Sequence, residues 1–335
     1  MPKNALPQQQ RFVNLLKALV PAQVNLARDL SELLELSNDG VYRRLRSETP
    51  FTLDEAVSIC FHYSIPLEAL NNEIPDVVTF QFNQLDESLE RFQAYFVQLG
   101  EQLKWISKQS DAHIYYAAED IPVFYHFGFP KLTAFKLFYW RKSILNMPDV
   151  EQSKFSEAHV TDFSLFESLY DRFSAIHTTE IWTEETLVST LQQLKFYWDA
   201  GFFDRAEDAL AVLDELQSLM QRIARQAEIG QKVNLQGAST GVPYTLYLCD
   251  LMIGNNSIYI RSGDASSTFI GYNTFNAIRT RNQAFNEQHK RWMENLCSKS
   301  IQISGMAEKI RNQFFKSQLR KIEQVKSHIA AELGL

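Results

Sequence analysis

Residues 25–70 read NLARDLSELLELSNDGVYRRLRSETPFTLDEAVSICFHYSIPLEAL, and their apolar side chains recur every three or four positions. This spacing places the apolar groups on one face of a helix. Asn25 and Ser37 each precede such a series, where a short side chain with an oxygen atom accepts a hydrogen bond from a first-turn amide. Thr52 and Glu55 have the spacing of a capping box, in which each side chain bonds the other residue's backbone amide. The segment therefore predicts three short helices that begin after Asn25, Ser37 and Thr52.

Two further helices are predicted on either side of this segment. Residues 8–19 carry apolar side chains at helical spacing, which indicates an amphipathic first helix. Pro66 lacks the amide hydrogen that a helix interior needs, so it ends the fourth helix and permits a short fifth helix over Leu67–Leu70. The N-terminal region is therefore predicted to be a five-helix domain over residues 1–75.

The third predicted helix, over about residues 38–47, has two distinct faces. Val41 and Leu45 lie four residues apart and therefore face the interior together. Arg44 shares their side of the helix, which favours a salt bridge at the edge of the domain. The remaining polar side chains face outward, where they can meet base edges or phosphates of nucleic acid. These outward residues are Asn38, Asp39, Tyr42, Arg43 and Arg46.

Residues 8–72 resemble the helix-turn-helix regulators of the XRE family, which includes phage-repressor-like proteins. The second helix resembles the Leu-Ala-x-x-Leu pattern of that family, and the turn after it resembles the family's Val-Ser. A buried apolar residue in the third helix and a hydroxyl-Leu pair at the start of the fourth also match, and no gap is needed. The matching residues are Leu30, Ser31, Leu34, Leu36, Ser37, Val41, Thr52 and Leu53.

The sequence departs from this family at three points. Glu35 stands where the family usually has the glycine of the turn, and Leu26-Ala27 replaces a polar Thr-Gln that often helps to hold a phosphate. Gly40 lies inside the third helix, where glycine costs about 1 kcal/mol relative to alanine. These departures weaken the expected phosphate contact of the second helix.

The resemblance implies a domain that places its third helix in the major groove of DNA. It implies that outward side chains of this helix probe the bases while a flanking arginine contacts a phosphate. It also implies a cap that directs the helix N-terminus toward the DNA backbone. In this sequence the base-probing residues are Asn38, Asp39, Tyr42 and Arg43, the phosphate contact is Arg46, and the cap is Ser37.

Charge and composition bound the function classes. The chain has 335 residues and a net charge of −7, which argues against non-specific binding to nucleic acid or anionic membranes. Residues 1–75 carry seven Lys and Arg against nine Asp and Glu, so a positive patch must be local, and a homodimer would double it. No apolar run approaches the length of a membrane span, the N-terminus lacks a signal-peptide pattern, and three isolated cysteines suit reduced thiols. We expect a cytoplasmic protein.

Residues 82–106 form a second patterned segment. Apolar residues from Phe82 to Ile106 alternate in steps of three and four, as in the seam of a coiled coil. One interpretation is a connecting helix over residues 76–110 that dimerises. The alternative is that this helix buries its apolar stripe within its own chain.

The remaining residues, 111–335, predict a larger helical domain with a small antiparallel β-meander at about 244–272. Aromatic residues concentrate over Tyr115–Leu145, where they either line a pocket or pack helices together, and helix packing is the commoner role. The tail from Met306 predicts one long helix. The expected fold class is therefore mainly α.

The sequence contains no phosphate-cradling glycine loop, dinucleotide fingerprint, nucleophile elbow or zinc-binding pattern of Cys and His. We therefore expect no catalytic residues, no metal and no cofactor. The favoured hypothesis is a transcriptional regulator that binds double-stranded DNA as a homodimer, with a C-terminal domain for dimerisation or for sensing a small-molecule or protein effector. The alternative is a helical protein-interaction scaffold whose helix-turn-helix has lost DNA binding.

Overall fold

The computed structural model describes residues 8–19, 25–63, 65, 77–109, 111–156, 162–263 and 265–332. The chain divides into two compact units, Met1–Thr79 and Phe80–Leu335. The boundary lies close to the one that the sequence predicts at residue 75. Each unit has its own apolar core, and each is described separately below.

The N-terminal unit contains four helices among its described residues. Their apolar faces meet in a single core that includes Leu16, Leu30, Val41 and Ile59. The prediction of a five-helix domain was wrong, because the apolar faces of four helices already form the core of this unit. The predicted fifth helix over Leu67–Leu70 lies outside the described residues. The helices are α1 (Gln8–Leu19), α2 (Leu26–Leu34), α3 (Asn38–Leu45) and α4 (Leu53–His62).

The helix starts in this unit are as the sequence predicts. The Asn25 side chain accepts a hydrogen bond from the amide of Arg28 at 3.2 Å. Thr52 and Glu55 form both bonds of the capping box, at 3.1 Å and 2.9 Å. These bonds satisfy amides that the helices leave unpaired, and they fix where each helix begins.

The turn between α2 and α3 depends on an unusual backbone conformation. Glu35 has φ +53° and ψ +36°, in the left-handed region, and its amide donates to the carbonyl of Ser31. This conformation closes the last turn of α2 in the manner of a C-terminal cap. Glycine adopts it without a steric penalty, which explains physically why the XRE-like pattern favours glycine at this position.

The first described helix of the second unit buries its apolar stripe within its own chain. Helix α5 (Leu89–Ser107) starts at the cap Ser88 and buries Phe92, Phe96 and Leu103 in the main core of its own unit. Of the two interpretations of residues 82–106, this packing favours burial of the apolar stripe within the chain, and the helix begins at Leu89. Phe82 lies in a short strand and is 60% exposed, whereas Phe92 and Phe96 are bulky for a two-stranded seam and suit a globular core.

Nine strands among the described residues form one mixed sheet that organises the second unit. The strands lie in the order β1-β8-β7-β6-β2-β3-β5-β4, and β9 pairs with the end of β5. Strands β2, β3 and β5 are parallel, and the other pairs are antiparallel. The strands are β1 (Gln81–Phe82), β2 (His113–Ala117), β3 (His177–Trp182), β4 (Gln231–Val233), β5 (Ser239–Leu248), β6 (Ser257–Ser262), β7 (Ala265–Tyr272), β8 (Asn276–Thr280) and β9 (Ile301–Gln302).

This sheet corrects the prediction of a mainly α fold with a small meander. The expected hairpin of β6 and β7 is present, but β5, which the sequence places in the same meander, pairs instead with β3. Strand β3 is almost wholly buried and β2 has no exposed residue, so neither shows the alternation of apolar and polar residues that marks a half-exposed strand. Parallel pairing also joins distant segments, which a local pattern does not reveal.

Helices cover both faces of the sheet. Ile114 and Tyr116 of β2 face the large core, whereas Ala117 faces a smaller core with Met293 and Leu296. This alternation is the period-two geometry of a strand buried on both sides. The helices of the unit that follow α5 are α6 (Val123–His126), α7 (Pro130–Tyr139), α8 (Ser164–Ser174), α9 (Val188–Asp199), α10 (Ala206–Ile229), α11 (Gln283–Ser298) and α12 (Glu308–Glu332).

A buried ion pair lies at the centre of the large core. Glu180 of β3 and Lys232 of β4 have fully buried side chains and lie 3.4 Å apart. The Glu180 carboxylate also accepts hydrogen bonds from the hydroxyl of Tyr125 at 2.6 Å, the indole of Trp182 at 3.0 Å and the hydroxyl of Tyr244 at 3.1 Å. Burial lowers the pKa of the Lys232 ammonium, and Glu180 opposes that shift. The network compensates for burying two charges by satisfying the carboxylate with four donors.

The left-handed conformation of Glu35 predicts that glycine is tolerated better than valine at this position, which is the reverse of the order inside a helix. We expect Glu35→Val to lower the free energy of unfolding by about 1–2 kcal/mol relative to Glu35→Gly, because a β-branched side chain clashes in this region. At Glu32, an exposed position inside α2, glycine should be the worse of the two by a few tenths of a kcal/mol. Urea unfolding of a fragment spanning residues 1–79, followed by circular dichroism, would measure both pairs. The same order at both positions would contradict the assigned conformation.

Candidate nucleic-acid interface

The outer face of α3 presents the side chains that the sequence predicts for DNA contact. Val41 and Leu45 are buried, while the Tyr42 side chain is 50% exposed and Asn38 and Asp39 are exposed. Arg43 is also exposed, and Arg46, which is the C-terminal cap residue of α3, is exposed as well. The structure therefore brings the predicted outward residues onto one accessible surface.

Ser37 acts as the predicted cap of α3. Its hydroxyl oxygen accepts a hydrogen bond from the amide of Gly40 at 3.2 Å. A Cβ added at Gly40 would lie 3.3 Å from this oxygen, which is a tight contact. The glycine therefore leaves room for the cap, which gives a physical reason for an otherwise unfavourable residue in the first turn of the helix.

The two exposed arginines of this surface already have carboxylate partners. Arg43 lies 3.1 Å from Asp39, and Arg46 lies 3.2 Å from Glu48. All four side chains are more than half exposed. Exposed ion pairs of this kind contribute only about 0–1 kcal/mol, so either arginine can exchange its carboxylate for another anion at low cost.

Arg44 has a structural role instead. Its guanidinium makes two parallel hydrogen bonds to the Glu55 carboxylate, at 2.8 Å and 2.9 Å, and both side chains are about 15% exposed. This pair joins α3 to the first turn of α4. The hydrogen bonds from Arg44, together with the amide of Thr52, lower the pKa of the Glu55 carboxyl, although burial acts in the opposite direction. Arg44 therefore positions α3 and is not part of the exposed surface.

Gln9 of α1 is a positioning residue that the sequence analysis missed. Its amide nitrogen donates to the carbonyls of Arg44 at 3.0 Å and Thr49 at 2.7 Å, and its amide oxygen accepts from the amide of Phe51 at 3.0 Å. One side chain thus holds the end of α3 and the loop that follows it. A glutamine within a run of three glutamines gives no sequence signal for this role.

One group of side chains within the described residues has atoms close enough together to hold a metal ion. Asp199, His328 and Glu332 come together at the surface of the second unit. Hydrogen bonds or ion pairs already join them: His328 lies 3.3 Å from Asp199, and the Trp198 indole donates to Glu332 at 2.6 Å. The cluster is therefore explained as a contact between α9 and α12.

The three cysteines Cys60, Cys249 and Cys297 are free thiols, as predicted.

Comparison with protein-family models, with curated proteins and with solved structures finds no match to this chain. The resemblance of residues 8–72 to helix-turn-helix regulators therefore rests on their sequence and geometry alone. In the part of the chain that the structure describes, every helix is too short or too polar to cross a lipid bilayer.

The pair of Arg44 and Glu55 predicts a pH-dependent contribution to stability. Because the pKa of Glu55 is lowered on folding, its contribution is present above the ordinary value near 4.5 and is lost as the pH falls through the lowered value. We expect Arg44→Met to reduce the free energy of unfolding by about 1–2 kcal/mol at pH 7 and to flatten this pH dependence. Urea unfolding of fragment 1–79 at pH 3 to 7 would test this. Arg28→Met removes an exposed pair and is the control, and an equal loss there would contradict the assignment.

Proposed function

We propose that this protein is a cytoplasmic transcriptional regulator that binds double-stranded DNA sequence-specifically through α3. The observation that supports this most directly is the division of α3 into a buried apolar face and an exposed polar face ending in arginine. A helix in the major groove needs such a face, and the short turn at Glu35 holds α3 against α2 as a helix-turn-helix requires.

The exposed side chains suit the readout of base edges. The Asn38 amide can donate to and accept from adenine, and the Arg43 guanidinium can donate twice to guanine. Asp39 can accept from the amino group of cytosine, and Tyr42 adds an apolar ring with a hydroxyl. Arg46 lies beyond the end of α3, where contact with a phosphate would orient the helix.

The charge of the N-terminal unit favours a dimer on DNA. Its residues 1–75 carry a net charge of −2, from seven basic and nine acidic side chains. A single copy of α3 therefore offers only a small positive surface. Two copies on half-sites about one helical turn apart would double both the phosphate contacts and the base contacts.

Helix α4 provides a surface on which a second copy can dock. Leu53, Val57 and Phe61 are 75%, 41% and 89% exposed, and they follow one another at intervals of four residues. Residues at this spacing form one stripe along a helix. Exposing three large apolar side chains on one helix face is costly in water, and burial against the same stripe of a second copy would be a symmetric solution.

The second candidate function is a protein-interaction scaffold, and two observations favour it. The apolar stripe of α4 would also suit a different protein, and Arg43 and Arg46 are already paired with carboxylates. A scaffold requires no basic surface, so the net negative charge of the unit is no obstacle to it. The two functions differ in whether Arg43 and Arg46 are needed.

Selection of binding sequences from random duplex DNA at about 150 mM salt, where non-specific attraction is weak, tests DNA binding. We expect the full-length protein to enrich a two-fold symmetric motif. We expect Arg43→Glu with Arg46→Glu to abolish enrichment without changing the helical circular-dichroism signal, because two phosphate or base contacts become repulsive.

Arg91→Glu with Arg225→Glu is the matched control for this selection. These arginines are similarly exposed and similarly paired, with Asp86 and Glu228, but they lie in the second unit. The change in total charge is the same as in the test variant. The control should nevertheless retain the motif, because its arginines lie outside α3. Equal loss in both double variants would show that net charge alone is responsible, and no enrichment by the wild type would favour the scaffold.

The stripe on α4 predicts that self-association depends on Phe61. We expect Phe61→Asp to raise the dissociation constant of the dimer by at least about tenfold. The substitution would place a charge where the dimer would otherwise bury a large apolar side chain. Sedimentation velocity across a range of concentrations would measure this. Met252→Asp changes an equally exposed apolar residue of the second unit and should have no effect. An unchanged dimer in Phe61→Asp would mean that the stripe is not the dimer contact.

A further inference from the structure

A cavity of about 180 Å³ lies in the second unit, between α5 and one face of the sheet. Its walls come from α5, from strands β2, β6, β7 and β8, and from the segment around α6 and α7. Most of the surrounding side chains are apolar. The apolar residues that define its shape include Leu99, Leu103, Ile106, Ile114, Ile258 and Phe275.

The size of the cavity suits a small molecule. A dry apolar cavity of roughly 150 Å³ accommodates benzene, so the present volume has room for one aromatic ring or a short alkyl chain. Gln81, Phe82 and Asn83 also line the cavity, and all three are exposed. Their exposure indicates that the cavity opens to the surface at this side, so that a ligand can enter.

Two buried side chains that line the cavity have polar atoms with no hydrogen-bond partner in the part of the chain that the structure describes. Neither ring nitrogen of His126 has one among the described residues, and the side chain is 2% exposed. The indole nitrogen of Trp140 is also buried, and the described ranges supply no partner for it. Buried donors and acceptors are nearly always satisfied in folded proteins, so such groups around a cavity indicate a ligand that supplies the missing partners.

Trp140 also begins a short π-helix, Trp140–Ile144, that directly follows α7. A π-helical turn is less favourable than an α-helical one and is found frequently at functional sites. Its position here places the start of the irregular turn at the cavity wall. This is independent of the hydrogen-bond argument and indicates the same site.

Among the described residues, the cavity is lined by a cationic side chain, Arg279, that has no carboxylate partner. Lys136 and Asp120 both line it, but they lie 3.3 Å apart, and the Lys136 ammonium also donates to Thr190 and Gln193. Arg279 is half-buried and donates to the Ser267 hydroxyl at 3.2 Å. No carboxylate of the described residues lies within ion-pair distance of its guanidinium, and its Nε is buried without a partner. An anionic group would therefore be stabilised beside Arg279.

We propose that this cavity binds a small carboxylate whose largely apolar body carries a polar group, with the carboxylate paired to Arg279 and the body held between α5 and the sheet. His126 and Trp140 supply hydrogen bonds to polar atoms on that body. The neutral imidazole offers one donor and one acceptor, and the indole offers one donor. Burial and the nearby Lys136 lower the pKa of His126, which keeps the imidazole neutral. This proposal is independent of whether the N-terminal unit binds DNA.

The test uses fluorinated aromatic probes and the full-length protein. Fluorine NMR would follow line broadening of 3-fluoro-4-hydroxybenzoate, 3-fluoro-4-hydroxyphenylacetate and 3-fluoro-4-hydroxycinnamate, each against its neutral amide, because the hydroxyl of each probe can bond His126 or Trp140. We expect at least one carboxylate to bind about tenfold or more tightly than its amide, because only the carboxylate forms a charged pair with Arg279. Arg279→Gln should remove this preference, and Arg279→Lys should retain part of it.

Two further variants locate the binding site. Arg281→Gln makes the same change of charge two residues away, at a position that does not line the cavity, and should bind like the wild type. Leu99→Trp should fill the cavity and abolish binding, with thermal unfolding confirming that the variant is folded. Absence of binding by all three carboxylates, equal binding of carboxylates and amides, or binding that survives Leu99→Trp would each overturn the proposal.

Discussion

The buried carboxylate of Glu180 is the interaction on which the second unit most depends. An ionised carboxylate inside an apolar core is unstable unless several donors satisfy it, and here the donors come from four different elements. Removing the ammonium of Lys232 would leave an unpaired buried charge, and removing Glu180 would leave an unpaired ammonium. The network therefore favours one arrangement of α6, β3, β4 and β5 over alternatives with a similar apolar packing.

This network also positions the wall of the cavity. The Tyr125 hydroxyl donates a hydrogen bond to Glu180, and the next residue, His126, lines the cavity. Because α6 has only four residues, fixing Tyr125 also fixes the direction of its neighbour. A second buried group of Asp120, Lys136 and Thr190 holds the carboxyl end of β2 to α7 and α9. In open α/β sheets, the carboxyl ends of parallel strands are the usual edge for ligand sites.

The sequence predicted the N-terminal unit far better than the second unit. Its helix starts depend on local signals, namely a cap at Asn25, a cap at Ser37 and a capping box at Thr52, and each is present in the structure. The sequence predicted that Arg44 forms a salt bridge at the edge of the domain, but it did not identify Glu55 as the partner. Gln9 was not predictable, because its partners are backbone groups 35 to 42 residues away in the chain.

The second unit escaped prediction because its decisive contacts are distant in sequence. Strand β2 pairs with β3 and β6, which lie roughly 60 and 140 residues further along. A buried parallel strand has no polar face to give it a period of two, so its residues resemble packing aromatics. The cavity was not predicted either, because its lining residues are distant in sequence. Helix packing was the favoured interpretation of Tyr115–Leu145, and only the fold brings Tyr116, His126 and Trp140 to a cavity that Arg279 also lines.

The position of the cavity in the chain gives a route by which a ligand could influence the N-terminal unit. The second unit begins at Phe80, and the next three residues, Gln81, Phe82 and Asn83, line the cavity. A ligand in the cavity would contact the first strand of the second unit, close in sequence to the segment that leads to the N-terminal unit. Such a ligand changes DNA affinity only to the extent that it binds the DNA-bound and free forms differently. If both proposals hold, the coupling must also be reciprocal, because DNA binding would change the affinity for the carboxylate by the same factor.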